Sequence, residues 1–254
     1  MRKDLIAGNW KMNANHLDAI QMVQKLSYRL DPADYERVDV VVAPPFTALR
    51  SVQTVIESDH LAIGLSAQNV DYHEKGAFTG EIAPAMLSKL SCSYVIVGHS
   101  ERRQMFGETD EIVNKKVKAV LAEGMTPILC VGETEDEREQ GLAEEKVGSQ
   151  VRAGLAGIDP DQVAGLVVAY EPIWAIGTGR TASADDAGDM CTFVREQVRG
   201  IAGDAADSTR VLYGGSANPG NIAGLMAKKD IDGGLVGGAS LDPDQFASVI
   251  RYWV

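Results

Sequence analysis

Cysteine, histidine and aromatic residues are all scarce in this chain. The three cysteines, Cys92, Cys130 and Cys191, are odd in number, lie far apart and form no CxxC pair. That excludes a disulfide framework and points to reduced thiols in a cytoplasmic protein. The four histidines, His16, His60, His73 and His99, have neither HxxxH nor HxxEH spacing, so no metal site is expected. Basic blocks are missing too. The 24 lysines and arginines are spread among 36 acidic residues, for a formal charge of −12, so neither nucleic acid nor an anionic membrane surface is an expected partner. No apolar run has the length of a membrane span and no secretory leader pattern opens the chain, which reads as an unexported protein.

What is present is a rhythm. Short apolar runs recur at "LIAGNW", "VDVVVAPP", "AIGLSAQ", "SYVIVGHS", "PILCVGE", "LVVAYEP", "RVLYGGS" and "GLVGGAS", beginning 24 to 44 residues apart. The runs are near-continuous rather than alternating, as strands covered on both faces should be. Helical patterns separate them. Leu17, Ile20, Val23, Leu26 and Leu30 mark one apolar face, Leu142, Val147, Val151 and Leu155 another, and Ser183 with Asp186 reads as a helix start. Strict βα alternation implies a parallel sheet. Eight units in 254 residues with no linker predict an α/β fold: a single (β/α)8 barrel over residues 1–254, with eight parallel strands and outer helices. An open doubly wound sheet is the rival, but no GxGxxG follows the first run.

In such a barrel, chemistry gathers at the C-terminal ends of the strands. Run one ends in Asn9-Trp10-Lys11, run four in Gly98-His99-Ser100-Glu101, run six in Glu171, run seven in Gly214-Gly215-Ser216 and run eight in Gly237-Gly238. The glycine pairs let backbone N–H groups approach an anion without adding charge, which suits an acidic protein holding a phosphate; a pair standing alone is ordinarily just a tight turn. A solitary histidine is ordinarily a satisfied core residue, yet His99 opens a helix, whose positive end favours a neutral ring able to donate to a carbonyl oxygen. Lys11 is placed as an electrostatic anchor. Glu171 is the sharpest candidate, because a desolvated carboxylate is a base toward a C–H proton. Beside it, Pro172, Ile173, Trp174, Ala175 and Ile176 followed by Gly177, Thr178 and Gly179 read as an apolar lid with hinges.

The motifs "GNWKMN", "GAFTGE", "VGHSERR", "AYEPIWAIGTGRTA", "YGGSAN" and "LVGGASL", in this order over the whole chain, resemble the triosephosphate isomerase family and its TIM barrel. The resemblance implies interconversion of dihydroxyacetone phosphate and D-glyceraldehyde 3-phosphate through an enediol, in glycolysis and gluconeogenesis. It implies Glu171 as base and His99 as neutral electrophile, a pairing that is this family's own worked chemistry. Asn9 and Lys11 take the oxyanion and anchor roles, and Glu101 partners Lys11. Gly177, Ser216, Gly237 and Gly238 match phosphate-binding backbone positions, and no cofactor is implied. "NVDYHEKGAFTGE", residues 69–81, is similar to the loop through which Thr79 reaches the neighbouring subunit of a homodimer. Cys130 is given a packing role. Two rivals remain open: an aldolase or synthase, which needs a Schiff-base lysine on an inner strand, and a sugar-phosphate-binding barrel without turnover.

Overall fold

The computed structural model describes residues 2–176 and 181–254. Its strands are β1 (Asp4–Asn9), β2 (Val38–Ala43), β3 (Ile63–Ala67), β4 (Cys92–Val97), β5 (Thr126–Val131), β6 (Val167–Tyr170), β7 (Arg210–Tyr213) and β8 (Gly233–Val236). Each pairs in parallel with the next, and β8 returns to β1, closing the barrel. The (β/α)8 expectation holds.

The two-residue period of a strand divides the core. Leu5, Ala7, Val41, Ala43, Ile128, Cys130, Val167, Ala169, Leu212 and Leu235 pack together inside the barrel. Their alternates, such as Ile6, Val40, Val42, Leu129, Val168 and Val236, pack against the surrounding helices. Continued one step, that parity places Asn9 after Leu5 and Ala7, and Glu171 after Val167 and Ala169, on the inward set at the barrel's C-terminal rim.

The helix start expected at Ser183 is present, and a second cap stands at Asn15. Ser183 Oγ accepts the Asp186 N–H at 3.0 Å, and Asn15 and Asp18 form a reciprocal capping box on the helix His16–Ser27. Two apolar faces differ from the expectation. Helix His16–Ser27 buries Ala19, Val23 and Leu26, whereas Leu17 is exposed and Leu30 lies buried beyond the helix end. Leu142 precedes the helix Ala143–Gly154 and is exposed. Leu142 and Leu30 lie outside their helices, where the 3.6-residue period no longer applies, whereas Leu17 lies in the first turn on the side away from Ala19, Val23 and Leu26.

The opposite, N-terminal end of the barrel is fastened by charge. Arg195 is buried; its Nε donates to Asp230 at 2.7 Å, its Nη2 to Asp232 at 2.5 Å and its Nη1 to the carbonyls of Ala206 and Thr209. Asp232 also accepts the Val211 N–H. Every lone pair and proton that matters is engaged, the condition under which a buried ion network is tolerated. Chemistry at one rim and fastening at the other is the division of labour this fold permits.

Candidate functional site

A cavity of about 340 Å³ opens at the C-terminal rim, lined by Asn9, Lys11, His99, Ser216, Gly237 and Gly238 among others. Residues singled out at the ends of four strands in the sequence therefore share one mouth. Glu171 does not line it. It is 1% exposed, with Oε2 accepting the Ser100 N–H at 2.9 Å and Oε1 lying 3.0 Å from His99 Nε2. Among the described residues Oε1 has no well-directed donor, so the carboxylate is parked beside the cavity and only partly satisfied there.

Lys11 is held in an unusual backbone state. Its φ is +52°, a left-handed conformation costly for a residue with a Cβ. Asn9 Oδ1 accepts the Lys11 N–H at 3.0 Å, and Gln68 Nε2 donates to both Lys11 O and Ala43 O at 2.8 Å. The ammonium lies 2.5 Å from Glu101 Oε1, as the resemblance implied. Strain thus fixes where the one lysine of the cavity points.

His99 precedes the helix Ser100–Phe106, and its Nδ1 accepts the Glu101 N–H at 3.2 Å. With Nδ1 an acceptor, the neutral ring carries its proton on Nε2. Burial pushes the imidazole pKa down, but the Glu171 carboxylate, with a smaller pull from Glu101, outweighs it and leaves the ring above its ordinary value. The same contact acts in reverse on the base. Burial raises the Glu171 pKa, but His99 and the Ser100 backbone bring it below the usual carboxylate value. Cys130, completely buried, is pushed well up by burial and by Glu171, and so stays an inert thiol.

The glycines divide into two kinds. At Gly215 a Cβ would lie 2.2 Å from Tyr213 Oη, and at Gly214 2.9 Å from Glu171 Cγ; these two are small because neighbours press on them. Among the described residues, a Cβ at Gly238 would meet nothing, and one at Gly237 only Lys11 Cε at 3.6 Å. Packing does not demand glycine there, which leaves an open approach for a ligand to the backbone. Of the lid, Pro172 to Ile176 is described. Ile173–Ala175 forms a single 3₁₀ turn, Ala175 is buried and Ile176 lines the cavity. Gly177, Thr178 and Gly179 lie outside the described residues.

Sequence reading missed three contributors. Gln68, at the end of β3, ties the Lys11 backbone to β2. Glu133, at the end of β5, is fully buried and accepts from Tyr170 Oη at 3.0 Å, Trp174 Nε1 at 2.9 Å and Arg138 Nη1 at 3.3 Å. Arg138 is the third. The signal that exposed Glu171, a carboxylate directly after a buried run, was equally present in "ILCVGE". Among the described residues no group of three or more His, Cys, Asp or Glu side chains could hold a metal ion, and no helix is long and apolar enough to cross a membrane. Thr79 is exposed and takes no part in the cavity of its own chain.

Comparison with known proteins converges on one family. The family model described as triosephosphate isomerase matches residues 4–253. A triosephosphate isomerase of Streptomyces coelicolor is 54% identical over 252 residues, covering 99% of this chain and 98% of that protein. One of Corynebacterium efficiens is 54% identical over 249 residues, covering 98% and 95%, and one of Mycobacterium avium is 51% identical over 249 residues, with the same coverage.

Proposed function

The chain belongs to the triosephosphate isomerase family, and from that premise we propose how its rim residues carry out the aldose–ketose isomerisation. The chain interconverts dihydroxyacetone phosphate and D-glyceraldehyde 3-phosphate, which gives it a place in glycolysis and gluconeogenesis. One observation carries the residue assignment: a desolvated carboxylate, Glu171, stands 3.0 Å from an imidazole nitrogen at the edge of a cavity holding one lysine.

In this reading the substrate phosphate lies against the backbone N–H groups of Ser216, Gly237 and Gly238, beside the Lys11 ammonium. Glu171 leaves the Ser100 N–H, turns toward the substrate and removes the proton from one of two adjacent carbons. His99 Nε2–H donates to the carbonyl oxygen and moves protons between the two oxygens of the enediol, while Asn9 and Lys11 stabilise the oxyanion. Glu101 orients Lys11. Ile173 to Ile176 cover the reacting atoms and exclude water, which suppresses loss of phosphate from the intermediate.

The departure of Glu171 also acts on the charge of His99. Once that carboxylate has moved away, its pull is lost, and burial, the Lys11 charge and the Glu101 N–H at Nδ1 favour the neutral ring that the electrophilic role requires, against the remaining pull of the Glu101 carboxylate. A carboxylate that raises a neighbouring pKa must, when neutralised, let it fall. Titration of the His99 ring by ¹⁵N NMR should therefore show a lower pKa in Glu171→Gln than in the unsubstituted protein. An equal or higher value would mean that Glu171 does not govern the imidazole.

The aldolase alternative is disfavoured because none of the eight strands, among the described residues, carries a lysine. A barrel that merely binds sugar phosphates has no use for the Glu171–His99 pair.

We further read the chain as one barrel domain over residues 1–254 that works in the cytoplasm as a twofold homodimer. Three buried free thiols suit a reducing compartment. Among the described residues, eight of the ten exposed large apolar side chains lie between β1 and β5 in sequence, among them Met12 after β1, Phe46 after β2, Phe78 and Met86 after β3, and Met105 and Phe106 in the helix after β4. That bias toward one sector of the barrel suits an association surface. Within that sector the loop of residues 69–81 keeps its own order through a His73–Phe78 ring stack at 3.8 Å and the Asp71–His73 contact at 2.7 Å, while Thr79 stays exposed. Thr79→Arg should shift the protein toward monomer in sedimentation at micromolar concentration. A dimer that persists unchanged on dilution would remove this role from the loop.

A further inference from the structure

Arg138 belongs to the short helix Glu135–Glu139, and it bridges the leading turn of the lid and the helix that follows the lid in the chain. Its Nη1 lies 3.3 Å from Glu133 Oε1, its Nη2 lies 3.1 Å from Asp186 Oδ1, and its guanidinium sits over the Trp174 ring, 5.0 Å from the centroid. Trp174 stands in the lid's leading turn. Asp186 stands in the first turn of the helix Ala184–Ala202, which begins after the lid. Glu133 links the two contacts. Its backbone carbonyl accepts the Ile173 N–H at 3.1 Å, and its Oε1 accepts the Trp174 indole N–H at 2.9 Å. A carboxylate with no exposure needs a compensating cation, and among the described residues Arg138 is the only one within ion-pair distance of it. The indole is therefore gripped at its edge by an anion and over its face by a cation, and the same cation pairs with Asp186 in the helix that follows.

We propose that Arg138 is a positioning residue for the isomerisation: it fixes the leading turn of the lid relative to the helix behind it, so that the segment carrying Trp174 and Ile176 covers the substrate in one register. The proposal rests on the isomerase reading of the site. It acts through Trp174 and Glu133 and touches no reacting atom. The lid acts on a substrate whose phosphate supplies the binding energy to close it, and binding energy drawn from a remote group appears in the turnover of the whole substrate but not of one lacking that group. A positioning defect should consequently depend on the phosphate.

The test compares two substrates in the full-length protein, D-glyceraldehyde 3-phosphate and D-glyceraldehyde. Arg138→Met keeps the aliphatic stem and removes the charge; about 1 Å of misplacement in a closing element corresponds to a loss on the order of 10²-fold. Its kcat/KM for the phosphorylated aldehyde should fall about 10- to 100-fold, while that for D-glyceraldehyde stays within about twofold. Arg138→Lys, which retains charge for Glu133 but not a planar face for the indole, should recover part of the loss. Asp186→Asn removes one arm and leaves Glu133 compensated, so it carries the test if Arg138→Met does not fold; it should lower only the phosphorylated turnover, by about threefold, the size of a partly exposed ion pair. Equal losses on both substrates, or none on either, would overturn the proposal. Absence of turnover in the unsubstituted protein would instead overturn the isomerase reading beneath it.

Discussion

Replacing Glu171 by glutamine should leave the fold intact and lower kcat by about 10³-fold, within the range assigned to general base catalysis. The amide has the shape of the carboxylate, and its oxygen can still accept the Ser100 N–H now made at 2.9 Å. What it lacks is a lone pair basic enough to take a proton from carbon. KM should change little, because Glu171 does not line the resting cavity and contributes to the transition state rather than to ground-state binding. Steady-state kinetics with far-UV circular dichroism as a folding control decide the matter. A variant within tenfold of the unsubstituted rate would transfer the base role to another group.

The second large effect is expected from a residue with no functional group. A Cβ built on Gly132 would lie 1.8 Å from the Glu171 carbonyl oxygen and 2.8 Å from its carbonyl carbon. Both are backbone atoms, so no rotamer change can relieve the clash. Here the end of β5 runs against the end of β6, and the Glu171 N–H donates to Val131 O at 2.7 Å. Gln150 Oε1 braces the same place by accepting the Gly132 N–H at 2.7 Å. Gly132→Ala must push the two strand ends apart. We expect a destabilisation of about 3 kcal/mol, typical of forced overpacking. In whatever protein folds, kcat should fall on the order of 10²-fold, because Glu171 rides on the displaced backbone. Urea denaturation beside kinetics tests this. A Gly132→Ala protein with unchanged midpoint and activity would show that the strand ends have room to move.

Much of this was legible because strands and barrels obey simple periods. The eight apolar runs located the eight strands, and the residue following each run located the rim, which is why Asn9, His99 and Glu171 were found together with Lys11. What escaped has three physical causes. The helical period was carried past a helix end at Leu142 and into the exposed first turn at Leu17, so both were assigned to buried faces they do not join. Glycines announce closeness without saying to what: Gly214 and Gly215 yield to Glu171 and Tyr213, while Gly237 and Gly238 border open space. Long-range partnerships such as Gln68 with Lys11, or Arg138 with Asp186, have no local pattern at all, because the barrel brings together residues that the chain separates.

The most direct test of the account follows the proton itself. Dihydroxyacetone phosphate is incubated with the purified protein in heavy water and watched by proton NMR beside a protein-free control. An enediol formed by one base exchanging with solvent predicts rapid appearance of D-glyceraldehyde 3-phosphate bearing deuterium at C2, with the rate collapsing in Glu171→Gln. A mixture indistinguishable from the control would contradict the proposed chemistry and leave a phosphate-sized cavity with a different occupant.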